Sequence, residues 1–111
     1  MAIHQRDIVE VNYLLPNGRF KPHPVVVISN NEIFEIEGIF YGVMLSTKAY
    51  NDDFVFELSD DMLTKPSNRL RSFVKCHLIQ AYQENEVTGR YGQVRKAAFE
   101  ELKEKVIQSL F

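Results

Sequence analysis

Three histidines, His4, His23 and His77, and one cysteine, Cys76, are the side chains of this 111-residue chain best suited to proton transfer or nucleophilic chemistry near neutral pH. Lys75 and His77 flank Cys76. Alternate residues of a strand share a face, so Lys75 and His77 project together. If that face meets solvent, Cys76 joins the core as an inert buried thiol. An imidazole beside a cation suits general acid–base work on an anionic substrate, and a half-buried, hydrogen-bonded histidine is the plainer reading. His23 lies between Pro22 and Pro24. It reads either as a rigid loop residue or as an imidazole held in place for chemistry. His4 precedes the first strand and reads as a surface residue. Arg19-Phe20-Lys21, with Tyr13 upstream, interleaves charge and ring. That pattern suits a single-stranded nucleic acid, by backbone attraction and base stacking, and equally a mobile loop.

Other chemistries lack their signatures. No His-x-x-x-His or Glu-x-x-His spacing occurs, so no metal site is expected. Neither a Gly-x-Gly-x-x-Gly nor a Gly-Lys-Ser/Thr loop is present, so no cofactor is expected. A single cysteine rules out an internal disulfide. The net charge of −2 argues against a bulk-basic nucleic-acid binder. Charge is uneven, however. Residues 65–96 hold Lys65, Arg69, Arg71, Lys75, Arg90, Arg95 and Lys96 against Glu84 and Glu86. One basic face on an acidic protein, or ordinary solvated side chains, both fit. No apolar run approaches the ~20 residues of a membrane span. The opening residues predict no signal peptide, and a soluble, cytoplasmic protein is the simplest expectation.

These residues need elements to hold them. An apolar fraction of 45% and a charged fraction of 25% are ordinary for a globular chain, and the length suits one domain over residues 1–111. Asp7–Tyr13 is rich in branched and aromatic residues and predicts a strand. Pro16-Asn17-Gly18 predicts a turn, with the loop running on through Lys21, Pro22 and His23 to Pro24. Val25–Ser29 is an unbroken branched run, predicting a strand buried on both faces and ended by Asn30-Asn31. Ile39–Ser46 predicts a third strand, Tyr50–Asp53 a turn, Phe54–Leu58 a fourth strand, and Asp60–Asn68 a polar connection. Ser72–Tyr82 contains a fifth strand, and Thr88-Gly89 predicts another turn. Ala98, Leu102, Val106 and Leu110 then recur every fourth residue opposite Glu100, Glu101 and Glu104, predicting an amphipathic helix from about Val94 to Leu110. Five or six strands and one helix make a mainly β fold: a small, bent antiparallel sheet or barrel packed on the terminal helix.

Four blocks in this order resemble the PemK/MazF toxins of bacterial type II toxin–antitoxin modules. Arg6-Asp7-Ile8-Val9 with His23-Pro24-Val25-Val26-Val27-Ile28-Ser29 is similar to a Gly-Asp-Ile/Val strand followed by Arg-Pro-Val-Val-Val-Ile-Ser. Met44-Leu45-Ser46-Thr47-Lys48 is similar to Ile-Thr-Ser-Lys. Ser72 to Tyr82 is similar to a late strand with a central cysteine, and Arg90-Tyr91-Gly92-Gln93-Val94 to the segment before the last helix. The resemblance implies an SH3-like barrel of five to seven antiparallel strands with a C-terminal helix, usually a homodimer. It implies metal-independent cleavage of single-stranded RNA by attack of the 2′-hydroxyl on the adjacent phosphorus. It also implies a small antitoxin partner, whose disordered tail lies across the RNA groove near the dimer interface.

The resemblance also places a site. The family's arginine before Pro-Val falls on His23 and its threonine on Ser46. The cationic residue and aspartate flanking the late cysteine fall on Lys75 and His77. Histidine for arginine exchanges a permanent cation for a group with a pKa near ~6.5, and lysine for arginine loses the two-pronged fork. Serine for threonine keeps the hydroxyl. His23 and His77 are then an acid–base pair, with Lys75 and Ser46 steadying the phosphate. Arg19, Phe20, Lys21, Thr47 and Lys48 are the candidates for binding substrate. The rival expectation is a catalytically silent binding module, like the related CcdB toxins, acting on a protein or nucleic acid. A structural phage or plasmid protein is a third. Convergence of His23 and Ser46 with Lys75 or His77 favours the enzyme, and a His23 pointing elsewhere favours the binder.

Overall fold

Proline and branched residues decide the first hairpin. In the computed structural model, which describes residues 2–47, 53–65 and 72–111, strands β1 (Asp7–Leu14) and β2 (Phe20–Val27) pair antiparallel from Ile8↔Val26 to Leu14↔Phe20. Gly18, at φ 84°, makes the reversal, closed by Leu15 N–H donating to Arg19 O at 2.8 Å. The expected loop through Lys21–Pro24 is therefore corrected to strand. Arg6 N–H donates to Val27 O, so odd-numbered residues of β2 aim their backbone at β1. Pro22 and Pro24 aim the other way, toward β3, whose ladder with β2 begins only at Val25↔Met44. Their missing N–H groups thus leave no ladder bond unmade.

A helix the sequence reading did not expect follows. In α1 (Asn31–Glu37), Asn30 Oδ1 accepts from Ile33 N–H at 3.1 Å, and Gly38, at φ 71°, ends the helix by donating to Phe34 O. β2 thus stops at Val27, two residues short of the expected Ser29, and Asn30 starts a helix rather than ending a strand. β3 (Ile39–Ser46) has the expected bounds. Of the expected turn at Tyr50–Asp53 only Asp53 is described, in a turn with Phe54 that leads to β4 (Val55–Leu58). Asp60–Met62 is one 3₁₀ turn, and Pro66–Asn68 of that connection lie outside the described residues. β5 (Ser72–Gln83) runs one residue past the expected Tyr82. The next reversal is Glu84–Glu86, where Gln83 N–H donates to Glu86 Oε1 at 2.9 Å. The turn expected at Thr88-Gly89 is instead inside β6 (Val87–Gln93), where Thr88 donates across to Glu10 Oε1 of β1 at 2.8 Å. α2 (Lys96–Leu110) starts two residues after Val94.

The six strands form one antiparallel sheet in the order β4-β5-β3-β2-β1-β6. Its two ends meet. Leu63 bridges to Val94, Thr64 N–H donates to Gln93 O at 2.9 Å, and Arg95 N–H donates to Met62 O at 2.7 Å. This seam curls the sheet into the expected barrel. Arg6 beside it has φ 80°, a left-handed backbone at the position the resemblance fills with glycine, and its guanidinium donates to Val94 O at 3.0 Å.

Each face of the sheet carries its own core. Ile8, Val26, Val43, Leu45 and Val74 meet Ala98, Phe99, Leu102 and Val106 of α2 on one. Ile3, Val9, Val11, Val25, Val27, Phe40 and Tyr82 meet on the other, with Phe34 of α1 packed against them. Val25–Val27 is thus buried on both faces, as the unbroken branched run predicts. Cys76 is buried in the first core, its Sγ 3.7 Å from Val74 O.

Candidate functional site

His23, Ser46 and Lys75 share one face of the sheet, and His77 lies in an irregular stretch of β5 two residues past Lys75. On β2, His23 alternates with Val25 and Val27 of the second core. On β3, Ser46 follows Phe40 at even spacing. Leu45 and Val74 are paired members of the first core, and Cys76 joins them there, so Ser46, Phe73 and Lys75 take the opposite face. Ser46 pairs directly with Phe73. The β2–β3 ladder begins at Val25↔Met44, so His23 lies two residues before its first pair, as Ser46 lies two residues after.

β5 is irregular at this point. Leu45 pairs with Val74 and Val43 with Ile79, so Met44 alone spans Lys75, Cys76, His77 and Leu78. A bulge of this kind bends its strand and re-aims its side chains. Here it turns the Lys75–Leu78 stretch toward β4, where Lys75 pairs with Val55 and Cys76 N–H donates to Phe54 O at 2.8 Å. The His77 ring rests against Phe54, with centroids 4.9 Å apart. Its Nδ1 is buried and has no hydrogen-bond partner. Lys75 is only 8% exposed, so the notion of a solvent-facing Lys75–His77 pair is corrected: the lysine is buried, and both residues lie in the irregular stretch where simple alternation does not hold. The His23 ring lies 5.9 Å from that of Tyr13, and its Nδ1 is 3.2 Å from Pro24 O.

The proposed substrate contacts are spread more widely. Arg19 closes the β1–β2 turn, its N–H donating to Asn17 Oδ1 at 3.0 Å. Lys21 shares the His23 face and pairs with Tyr13, whereas Phe20 pairs with Leu14 at the hairpin end, 66% exposed. Thr47 is exposed directly after Ser46, and Lys48 lies outside the described residues.

A second polar cluster escaped the sequence reading. At the seam, a cavity of about 400 Å³ is walled by His4, Asp7, Lys65, Arg90, Tyr91 and Gln93 among others. Asp7 is 5% exposed. It accepts from His4 N–H at 2.9 Å and Gln93 Nε2 at 2.8 Å, with the Arg90 guanidinium 3.8 Å away. The available signal was a carboxylate opening a strand of branched residues, a place where it must be either exposed or paired. His4 is half exposed, as expected.

A curled six-stranded sheet with two capping helices and this face defines a class, the small antiparallel barrels of toxin–antitoxin modules. The solved structures most similar in architecture include a mycobacterial endoribonuclease in complex with its cognate antitoxin: 17% identity, 98% of this chain and 95% of that one covered, TM-score 0.75. A MazE–MazF complex from Deinococcus radiodurans matches at 12% identity, covering 99% and 96%, with TM-score 0.77. The sequence matches no curated protein. The family model of the PemK-like, MazF-like toxins of type II toxin–antitoxin systems matches residues 4–110, and the chain belongs to that family.

Proposed function

We infer that this chain is a toxin of that family acting as a metal-independent endoribonuclease on single-stranded RNA. The 2′-oxygen attacks the adjacent phosphorus, the bond to the 5′-oxygen breaks, and a cyclic phosphate forms. His23 and His77 serve the entering and departing oxygens, while Lys75 and Ser46 hold the phosphate charge. The observation that carries this reading is the common face of His23, Ser46 and Lys75, with His77 two residues along β5, at the positions where the family resemblance puts a site. Arg19, Phe20, Lys21, Thr47 and Lys48 serve the flanking nucleotides. The protein works in the cytoplasm as a single-domain subunit of a homodimer, and an antitoxin restrains it by laying a disordered tail across the RNA groove. The Deinococcus relative was solved as a MazE–MazF complex and the mycobacterial one with its cognate antitoxin, which supports that partner. No helix among the described residues is long and apolar enough to cross a membrane.

The test is incubation of purified, antitoxin-free protein with a long unstructured RNA in EDTA. Discrete cuts that disappear in His23→Ala and His77→Ala are the expected result. Intact RNA, from protein shown to be folded and dimeric, would transfer the case to a binding module.

A further inference from the structure

The two imidazoles of the proposed site are held differently, and the difference assigns each a tautomer. His23 Nδ1 lies 3.2 Å from the carbonyl oxygen of Pro24. A carbonyl oxygen only accepts, so Nδ1 carries the proton of the neutral ring. Nε2 is then a bare lone pair. Backbone geometry keeps it so: proline fixes its own φ, and β2 is paired to β1 on both sides of His23. His77 is the reverse case. Its Nδ1 is buried and without a partner. A buried N–H with no acceptor forfeits its water hydrogen bond and gains nothing, and such orphan donors are rarer than under-satisfied acceptors. The proton therefore sits on Nε2. The Phe54 ring packs against the imidazole, with centroids 4.9 Å apart.

We propose that opposite tautomers divide the labour of the site: His23 Nε2 takes the proton of the 2′-hydroxyl, and His77 Nε2–H is a hydrogen-bond donor that keeps its proton. This rests on the nuclease reading above. As the 2′-oxygen bonds to phosphorus, its proton passes to His23 Nε2. As the bond from phosphorus to the 5′-oxygen breaks, His77 Nε2–H hydrogen-bonds that oxygen, which then takes its proton from water. The reverse assignment fails on both rings: His23 would lose its bond to Pro24, and His77 would bury an unmatched donor.

Histidine nitrogens in the protein labelled with ¹⁵N report tautomers directly through long-range ¹H–¹⁵N correlations, recorded where the rings are neutral and assigned with single histidine variants. His23 is expected to show the Nδ1–H pattern and His77 the Nε2–H pattern, with the exposed His4 as internal reference. Exchanged patterns, or averaged ones at both rings, overturn the proposal. Cleavage supplies a separate arm. The amide of His77→Gln places an N–H near the position of Nε2–H, so this variant is expected within about 10-fold of the parent rate, while His77→Ala falls by about 10²-fold or more and His23→Gln falls as far as His23→Ala. A folded His77→Gln protein as slow as His77→Ala means that His77 surrenders its proton, which overturns its role. The expected tautomers in a protein that cuts no RNA overturn the nuclease reading and the assigned roles with it, while leaving the ring assignment standing.

Discussion

The seam and the histidine face both gather titratable side chains, and they treat them in opposite ways. At the seam Asp7 is drawn into the barrel and engaged on both oxygens, by His4 N–H, Gln93 Nε2 and the nearby Arg90. Its partners come from the two ends of the chain, so the cluster ties β6 to the start of β1 just where the sheet closes. On the histidine face the two rings are held more locally. Among the described residues His77 Nδ1 has no partner, and His23 spends one nitrogen on Pro24 O, its neighbour in sequence. A polar network that joins distant segments holds a fold together, because removing any member strands the others. A side chain bonded only to its own neighbour does little for closure. The seam thus ties the sheet, and the proposed chemistry lies with the two imidazoles.

The largest effect expected from this division is on turnover. His23→Ala should reduce RNA cleavage by about 10²–10⁴-fold while shifting the urea midpoint little, since His23 is half-buried and its one hydrogen bond is to its neighbour. A fall in stability large enough to account for the lost activity would erase the distinction between the two regions.

Asp7→Ala is the converse. It should lower stability by about 2 kcal/mol, because the hydrogen bonds from His4 N–H and Gln93 Nε2 to the carboxylate are lost, while the part-exposed Arg90 keeps water and Ala2 O as partners. Urea unfolding at constant slope measures this. The cleavage rate per folded molecule should remain that of the parent. If the rate falls while the protein stays folded, the seam belongs to the chemistry as well.

Titration sharpens the contrast from the other side. Burial first, then the nearby charges of Tyr13 and Glu86, pushes the Tyr82 hydroxyl from its ordinary 10.0 up to about 12. The folded state therefore holds this proton more tightly than the unfolded one. Stability is fully present below pH 10 and is lost as pH rises toward 12. Tyr82 belongs to the second core, on the histidine face. Urea midpoints for the parent and for Tyr82→Phe should converge across that interval, and parallel curves would place the alkaline loss elsewhere.

How far the sequence disclosed these regions follows from the range of the interactions. Patterns of local period were readable: β3 to the residue, α2 to within two residues, and Val25–Val27 as doubly buried. Features set by distant neighbours were not. Pro22 and Pro24 read as loop because their missing N–H groups are costly inside a sheet, and nothing local says that this side of β2 has no partner there. Gly89 reads as a turn although it lies flat against Glu10, where an added Cβ would meet the Glu10 Cβ at 3.7 Å. The β5 bulge, the burial of Lys75 and the bond from Gln93 to Asp7 each require a strand arriving from elsewhere in the chain. Helix α1 is the exception, since its signals, Asn30 ahead and Gly38 behind, are local and were present.

That helix supplies the smallest test. α1 has seven residues and buries none of them fully, far too short to persist without help. Its cap is part of that help: Asn30 Oδ1 accepts from Ile33 N–H at 3.1 Å, and removing it in Asn30→Ala should cost about 1 kcal/mol. Phe34 connects the helix to the second core, whose Val25 and Val27 lie on the same face of β2 as His23. Loosening α1 therefore presses on the histidine face from beneath and leaves the seam alone. If that face is rigidly set by its strands, Asn30→Ala lowers the urea midpoint slightly and leaves the cleavage rate and both histidine tautomers unchanged. A slowed cleavage with intact tautomers would mean instead that the second core, and not the strands alone, sets the distance between the two rings.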